Sequence, residues 1–299
     1  MAKYQRLGAD ALAEKGWLGA HKWLLLRRFS QLSILLLFML GPWAGVWIIK
    51  GNLSSSLLLD TVPMTDLMVF LQMLAAGFLT PVSTVVTGVL IVTVFYLLAG
   101  GRLFCSWVCP LNMVTDAANW LREKLEIKPS THLSRNLRYW MLAMVVVMAF
   151  VTGSMAYEVF NPVSMTHRTI IFGLGMGWAV VLAIFLFDLF VARRGWCSHL
   201  CPVGATYGLL GKLSLVRVRA DQRVACNDCM ECFVVCPEPQ VIKPALRGET
   251  KGGGPVITSG DCTNCGRCID ICAKDVFHFG MRFNNVSGNE GIKGSATHA

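Results

Sequence analysis

The chain has 299 residues, of which 54% are hydrophobic and only 15% are charged, whereas a typical soluble domain carries roughly 25% charged residues. With a mean hydropathy of +0.54, this composition excludes an ordinary soluble enzyme and predicts long apolar segments in contact with lipid. The formal charge of +9 would suggest nucleic-acid binding in a soluble protein. Because the basic residues flank apolar segments, they predict membrane orientation instead, and no nucleic-acid partner is expected.

Four apolar stretches approach the roughly 20 residues that a helix needs to cross a bilayer. In chain order they cover residues 29–49, 82–99, 139–156 and 170–192. Residues 67–99 carry no charge and are too long for one span, but Pro81 divides them. We therefore predict a short helix over residues 64–79 that lies at the surface or re-enters the membrane, with a fifth span as the alternative. The predicted fold class is an α-helical integral membrane protein with four transmembrane helices.

Lysine and arginine side chains determine the predicted orientation. They are concentrated in residues 1–28 and in the loop after the second span, whereas the loops after the first and third spans contain few. Arg193 and Arg194 follow the fourth span directly. Because basic loops remain in the cytoplasm, both chain termini are expected on the cytoplasmic side of a bacterial inner membrane.

A cysteine motif follows the second span and is repeated after the fourth. Each copy has the pattern C-x3-C-P, and the cysteines are Cys105, Cys109, Cys197 and Cys201. Two spans and one motif per unit predict two parallel repeats with all four thiols at the cytoplasmic face. The four could form one site for a metal or a cluster, or act as redox dithiols. They could also be buried small side chains at helix ends.

Eight further cysteines fall in the C-terminal region, in two runs of C-x2-C-x2-C-x3-C. This is the spacing of bacterial ferredoxins that hold two [4Fe-4S] clusters, and it predicts a ferredoxin-like α+β domain. Zinc is a poor alternative for two consecutive triplets of this kind. The chain is thus divided into a basic N-terminal segment (1–28), a four-span membrane domain (29–219), a ferredoxin-like domain (220–280) and a disordered tail (281–299).

The spacing also assigns the ligands, because the fourth cysteine of each run binds the cluster of the other run. The expected ligands of the first cluster are Cys226, Cys229, Cys232 and Cys272. Those of the second cluster are Cys236, Cys262, Cys265 and Cys268. Cys272 is followed by Ala273 where the run would have proline. Proline shapes the turn and binds no iron, so the cluster is expected to form.

Two ionisable residues near the apolar segments are candidate catalytic groups. Asp188 lies in the fourth predicted span, where it could relay a proton or pair with Arg193 or Arg102. His167 lies at the outer boundary and could accept a proton from quinol, or it could simply be interfacial. Since no histidine lies within a span, no haem is expected.

Several strings of the chain closely resemble the NapH family, the membrane ferredoxin-type subunits of periplasmic nitrate reductase systems. These strings are GPWAGVW (41–47), GNLSSS (51–56), TVP (61–63), FCSWVCP (104–110), NPVS (161–164), GWCSHLCPVG (195–204) and CFVVCPEP (232–239). The likeness extends from about residue 16 to residue 279. It implies that the eight ferredoxin-type cysteines bind the clusters, and it leaves the role of the C-x3-C-P cysteines open.

The resemblance also implies a function, that of a quinol dehydrogenase component in the membrane. Such a subunit takes electrons from the quinol pool and passes them, with a NapG-like iron-sulfur partner, toward a periplasmic nitrate reductase. A membrane polyferredoxin that serves assembly or redox sensing of another respiratory enzyme is the alternative.

Overall fold

The computed structural model describes residues 7–78, 83–127, 131, 133–173, 175, 177–248 and 253–283. These residues fall into two compact units. Unit 1 comprises the described parts of Met1–Trp23, Leu215–Thr258 and Gly266–Ala299, and unit 2 comprises Leu24–Ser214 and Ser259–Cys265. The helical unit therefore includes a short segment, Ser259–Cys265, that lies within the predicted ferredoxin-like domain. Most of the predicted tail lies outside the described residues.

The first helix, α1, runs over Ala9–Ala44 and has a kink at Gly16, where φ is 70°. It begins earlier and ends earlier than the predicted span over residues 29–49. Gly45, with a φ of 72°, follows the end of the helix. Ile49 then starts a strand. The predicted C-terminal end of this span is therefore wrong.

A three-stranded antiparallel sheet follows α1, in a region where the sequence predicted no strands. Its strands are β1 (Ile49–Gly51), β2 (Ser55–Leu58) and β3 (Val62–Thr65), paired in the order β1-β2-β3. The Asn52 side chain accepts hydrogen bonds from the backbone N–H groups of Ser54 (2.9 Å) and Ser55 (2.8 Å). This Asx arrangement closes the first turn and fixes the register.

The rest of unit 2 consists mainly of helices. They are α2 (Leu67–Ala75), α3 (Ser83–Ala99), α4 (Leu103–Trp107), α5 (Leu111–Lys124), α6 (Leu137–Thr152), α7 (Ala156–Phe160), α8 (Pro162–Phe172), α9 (Gly177–Leu186) and α10 (Pro202–Gly211). Two π-helical turns, Phe187–Val191 and Trp196–Leu200, precede α10.

Two predicted helix boundaries in unit 2 need correction. The helix expected over residues 64–79 is α2, and its predicted first two residues, Met64 and Thr65, belong to β3. The fourth span was expected over residues 170–192, but residues 170–172 belong to α8 and α9 begins at Gly177. The proposed division at Pro81 lies outside the described residues.

One described helix, α1, is long and apolar enough to cross a membrane by itself. Three shorter apolar segments, Thr84–Ala99, Leu137–Thr152 and Gly177–Val191, coincide with the second to fourth predicted spans. Each is shorter than the roughly 20 residues of a full crossing. The four-span arrangement therefore remains a prediction.

Unit 2 exposes apolar side chains and buries polar ones. Phe150 and Phe172 are 74% and 75% exposed, whereas the side chains of Arg138, Asn161 and His167 are buried. Water disfavours large exposed apolar surfaces on a soluble monomer. Lipid, in contrast, favours apolar exteriors and requires polar groups to find partners inside.

Unit 1 combines one small sheet with short helices. Strand β4 (Val216–Arg219) pairs antiparallel with β5 (His278–Met281), so that Val216 lies opposite Met281. The helices between the strands are α11 (Glu231–Val235), α12 (Ile242–Arg247) and α13 (Arg267–Ile271). Strand β4 thus lies just before residue 220, the start predicted for the ferredoxin-like domain.

Candidate iron-sulfur sites

A pocket in unit 1 brings together the four cysteines predicted to bind the first cluster. It encloses about 510 Å³ of empty space, part of it open to solvent, and Cys226, Cys229, Cys232 and Cys272 line it. Its apolar wall is formed by Phe233, Leu246, Ile271, Val276 and Phe277. Four thiols at an apolar wall are a suitable donor set for an iron-sulfur cluster.

The backbone of the cysteine loop explains how residues so close in sequence can face one pocket. Asp228 and Met230, on either side of Cys229, have φ values of 55° and 64°. The second run repeats this conformation at Asn264 and Gly266, on either side of Cys265, with φ values of 48° and 72°. Each loop thus makes two left-handed turns before a short helix begins, and it curves instead of continuing as a helix.

The fourth cysteine of each run has the same extended backbone. Cys236 has φ −70° and ψ 131°, and Cys272 has φ −83° and ψ 107°. Proline at position 237 demands an extended conformation of the residue before it. Cys272 adopts that conformation before Ala273, so the missing proline does not change the backbone at this cysteine.

Charge also makes the pocket suitable for iron. Burial, together with the neighbouring thiols Cys229, Cys272 and Cys226, raises the pKa of the Cys232 thiol to about 12. Four adjacent thiolates therefore need positive charge to be stable, and iron ions would supply it. Residues Cys226, Cys229, Cys232 and Cys272 are the side chains that would hold the cluster.

The predicted ligands of the second cluster are divided between the units. Cys236 and Cys268 belong to unit 1, and Cys262 and Cys265 belong to unit 2. Within unit 2, the segment Ser259–Cys265 is held by side chains near the first C-x3-C-P motif. The Ser106 hydroxyl donates to the Thr263 carbonyl (2.7 Å), and the Trp107 indole donates to the Asn264 carbonyl (3.0 Å).

Glycines allow this segment to approach the helices of unit 2 closely. A Cβ atom on Gly260 would lie 2.0 Å from the carbonyl oxygen of Gly208, and one on Gly101 would lie 2.0 Å from the Cα atom of Gly211. Real Cβ atoms do not approach other atoms this closely. The backbone of α10 therefore packs directly against both neighbouring segments.

The four C-x3-C-P cysteines also meet, and they do so within unit 2. Cys105 lies in α4, Cys109 lies just before α5, Cys197 lies in the second π-helical turn and Cys201 precedes α10. The Cys197 thiol is close enough to the other three to interact with their charges. Cys109 interacts in the same way with Cys105 and Cys201. The repeat therefore brings all four sulfurs into one region of the core.

Two of these sulfurs lie at the amino-terminal ends of helices. The Cys201 sulfur accepts hydrogen bonds from the backbone N–H groups of Gly204 (3.5 Å) and Val203. In the first repeat, the Cys109 sulfur accepts the equivalent bonds from Leu111 and Asn112. The proline after each cysteine suits the first turn of a helix because it has no N–H to satisfy. This geometry explains the C-P dipeptide in both motifs.

Arg102 is a buried charged side chain that contacts this group, although the sequence suggested it only as a partner of Asp188. It is 2% exposed. Its guanidinium donates to the Cys105 side chain. It also donates to the carbonyl of Cys197 (3.1 Å) and to that of Asp261 (3.0 Å). The signal in the sequence was an arginine preceding the first motif by three residues.

Asp188 does not make the ion pairs that the sequence suggested. One carboxylate oxygen accepts from the backbone N–H of Trp196 (3.0 Å), and the Asp188 carbonyl accepts from Arg122 (3.0 Å). Arg193 instead pairs with Glu123 (3.2 Å). Pairing of Asp188 with Arg193 or Arg102 is therefore wrong, and the carboxylate stabilises the π-helical turn that carries Cys197.

His167 is buried and packs edge-on against Phe38, with 4.6 Å between the ring centroids. Burial, with a smaller effect of Arg168, lowers the pKa of His167 to about 4. The ring is therefore neutral at pH 7. This environment favours a packing role over proton transfer.

Asp66 is a buried carboxylate that the sequence analysis did not single out. It caps α2 by accepting from the N–H of Met68 (3.3 Å), and it accepts a second hydrogen bond from Tyr207. An aspartate directly before an apolar run is a signal for a helix start, and it was available in the sequence. The Asp66 charge also acts on Cys105, so this residue belongs to the surroundings of the four-cysteine group.

All twelve cysteines are described, and none of them forms a disulfide. Within the described ranges, no three histidine, cysteine, aspartate or glutamate side chains surround one point closely enough for a single metal ion.

Comparisons with known proteins match both cysteine regions to iron-sulfur families. A 4Fe-4S binding domain matches residues 83–128 and again residues 174–220, and a 4Fe-4S dicluster domain matches residues 225–276. Each of the first two matches contains one C-x3-C-P motif. No solved structure matches the chain.

Several known proteins are similar to this chain over most of its length. The ferredoxin-type protein NapH of Escherichia coli (strain K12) is 50% identical over 93% of this chain and 96% of its own length. The methylamine utilization ferredoxin-type protein MauN of Methylorubrum extorquens has the same identity and coverage. MauN of Paracoccus denitrificans is 53% identical over 84% of this chain and 88% of its own length.

The cysteine sites and the matched domains define this chain as a ferredoxin-type iron-sulfur protein of electron transport. It belongs to the family of the ferredoxin-type proteins NapH and MauN.

Proposed function

We propose that this protein is an electron-transfer subunit of the bacterial inner membrane that oxidises quinol through iron-sulfur clusters. The pocket lined by Cys226, Cys229, Cys232 and Cys272 is the observation on which the proposal mainly depends. These four residues hold one [4Fe-4S] cluster. Cys236, Cys262, Cys265 and Cys268 hold a second, in the crossed pattern of bacterial ferredoxins. The clusters supply one-electron chemistry, and the chain supplies their positions and surroundings.

The surface of unit 2 supports a multi-pass membrane location. Large apolar side chains are exposed along the three shorter apolar segments, for example Phe95, Phe150 and Phe190. Several arginines and other polar residues are buried inside the unit. This distribution is expected for helices surrounded by lipid. The basic residues in residues 1–28 and in the loop after the second span orient both chain termini toward the cytoplasm.

The proposed partner is a NapG-like iron-sulfur protein that carries electrons toward a periplasmic nitrate reductase, as the likeness to NapH implies. A role in methylamine utilization is the second candidate, because MauN proteins are as similar to this chain as NapH is. A role in assembly or redox sensing of another respiratory enzyme is a third, and it requires no quinol oxidation.

Anaerobic mixing of the purified full-length protein with a reduced quinol analogue separates these roles. We expect the visible absorbance of the clusters to bleach on quinol addition and to recover on addition of the oxidised NapG-like protein. Clusters that dithionite reduces but quinol does not would contradict quinol oxidation and favour assembly or sensing. Electron delivery to the methylamine system but not to the nitrate system would identify the MauN-like role.

Topology is tested by fusing a reporter that is active only in the periplasm. After Gly280 it should be silent, and near Ser55 it should be active. An active fusion after Gly280 would overturn the cytoplasmic location of the clusters.

A further inference from the structure

We propose that Cys105, Cys109, Cys197 and Cys201 together hold one additional iron-sulfur cluster, shared by the two repeats of unit 2. Each region matched by the 4Fe-4S binding domain contains only two cysteines, one C-x3-C-P pair. A [4Fe-4S] cluster commonly has four cysteine ligands, so neither region is sufficient alone. The structure places Cys109 and Cys201 in one buried core cluster, with Cys105 packed against it. Cys197 is close enough to interact with the charges of all three, which completes the donor set.

The backbone around the sulfurs is suited to a cluster. Cys109 and Cys201 each accept two N–H groups from the first turn of the following helix. Such N–H···S bonds and the positive end of a helix stabilise thiolates. They also tune the reduction potential of a bound cluster. Cys105 and Cys197 precede these residues by four positions and complete one pair on each side.

The side chains around the group exclude water and place the Arg102 cation beside it. Tyr207 is 1% exposed, and Tyr96, Phe104 and Met68 are also buried in this core. Arg102 donates to the Cys105 side chain and to the Cys197 carbonyl, and so links the two repeats. A cluster bound by four thiolates is negatively charged, and a buried arginine offsets part of that charge.

The same arginine links this site to a segment that carries two of the ferredoxin-type cysteines. Arg102 also donates to the carbonyl of Asp261, and Ser106 donates to that of Thr263. Asp261 and Thr263 flank Cys262 in sequence, within the same unit. The four-cysteine site is therefore held, within unit 2, beside the segment that carries Cys262 and Cys265. The site itself does not depend on the proposed quinol oxidation.

Metal analysis of the anaerobically purified full-length protein tests the site directly. Three cubanes predict about twelve iron and twelve acid-labile sulfide per chain, against about eight for the ferredoxin-like region alone. Cys105→Ser and Cys197→Ser should each remove about four iron. The double variant should lose no more than either single variant, because residues acting as a unit are non-additive.

Two variants serve as controls. Ser198→Ala changes a buried residue next to Cys197 and should retain the full iron content. Cys229→Ser should lose its own cluster and leave the reduced-state paramagnetic resonance signal of the four-cysteine site intact. Eight iron in the wild-type protein, zinc in place of iron, or a disulfide within this group under anaerobic conditions would overturn the proposal. If the full iron content is found but quinol reduces no cluster, the proposed function fails and the site stands.

Discussion

The two groups of cysteines in separate units of this molecule are built in opposite ways. In unit 1, Cys226, Cys229 and Cys232 lie within seven consecutive residues, and two left-handed residues curve the loop around a pocket. In unit 2, two pairs separated by about ninety residues are brought together by the packing of repeated helices. A site built on one local loop can be recognised from the sequence, whereas a site formed by distant residues depends on the whole fold. Substitutions should therefore act locally in the first group and more widely in the second.

The largest effect is expected for Cys272→Ser, which tests whether the pocket is one cluster site. Because Cys272 lines the pocket with the three cysteines of the other run, its loss should remove about four iron per chain. Iron analysis and resonance spectra of the reduced protein measure the change. Cys236→Ser is the matched control and should damage the other cluster. Loss of the same cluster in both variants would contradict the crossed ligand pattern.

Arg102→Ala should produce a large loss of stability in unit 2. The substitution leaves two buried carbonyls, those of Cys197 and Asp261, without their charged donor. At roughly 1.5 kcal/mol for each hydrogen bond to a charged group, the free energy of unfolding should fall by about 3 kcal/mol. Thermal unfolding in detergent measures this loss.

Arg102→Lys keeps the positive charge and replaces the planar donor by a single ammonium group, so it should recover only part of the stability. Unchanged unfolding of Arg102→Ala would show that this arginine does not join the repeats. Equal losses in both variants would show that the geometry of the donor, and not the charge, is what unit 2 requires.

Gly101→Ala tests the close packing that positions Ser259–Cys265 and the first motif. The added methyl group would lie 2.0 Å from the Cα atom of Gly211 and 2.7 Å from the carbonyl of Tyr207. Overpacking of this kind costs about 2 kcal/mol, and the melting temperature should fall. Gly175→Ala is the control, since a Cβ atom there meets nothing within 4 Å. Equal melting of both variants would contradict the close contact.

The smallest expected effect is a gain in the stability of unit 1. Met230 holds a left-handed conformation that costs a side-chain-bearing residue about 1 kcal/mol, and the equivalent residue of the second loop is Gly266. Met230→Gly should therefore stabilise unit 1 by up to about 1 kcal/mol. Loss of the contact between the Met230 sulfur and Arg247 (3.1 Å) reduces the gain. Met230→Ala retains the strain and should show no gain in thermal stability.

The sequence predicted the local features well. Cysteine spacing placed Cys226, Cys229, Cys232 and Cys272 together, and the pocket in unit 1 contains these four. Hydropathy located the central residues of α3, α6 and α9, because a long apolar run in a sequence is compatible with few structures other than an apolar helix. These features depend on neighbours in the chain.

The features that the sequence did not reveal depend on contacts between distant residues. The sheet at residues 49–65 has strands of only three or four residues, too short for a pattern of alternation. The paired roles of Cys109 and Cys201 as acceptors at helix ends required knowledge of where α5 and α10 begin. Arg102 could not be separated from other loop arginines by charge alone, because its role follows from burial and from two carbonyl partners.

The placement of Ser259–Cys265 in the helical unit has a consequence for biogenesis. Cys262 and Cys265 are positioned by Ser106, Trp107 and Arg102, which are synthesised some 150 residues earlier. We therefore expect the helices of unit 2 to pack before an iron-sulfur cluster can form at these two cysteines. On the proposed cluster assignment, we expect maturation to follow an order in time, with packing of the helices first and the loading of that cluster last.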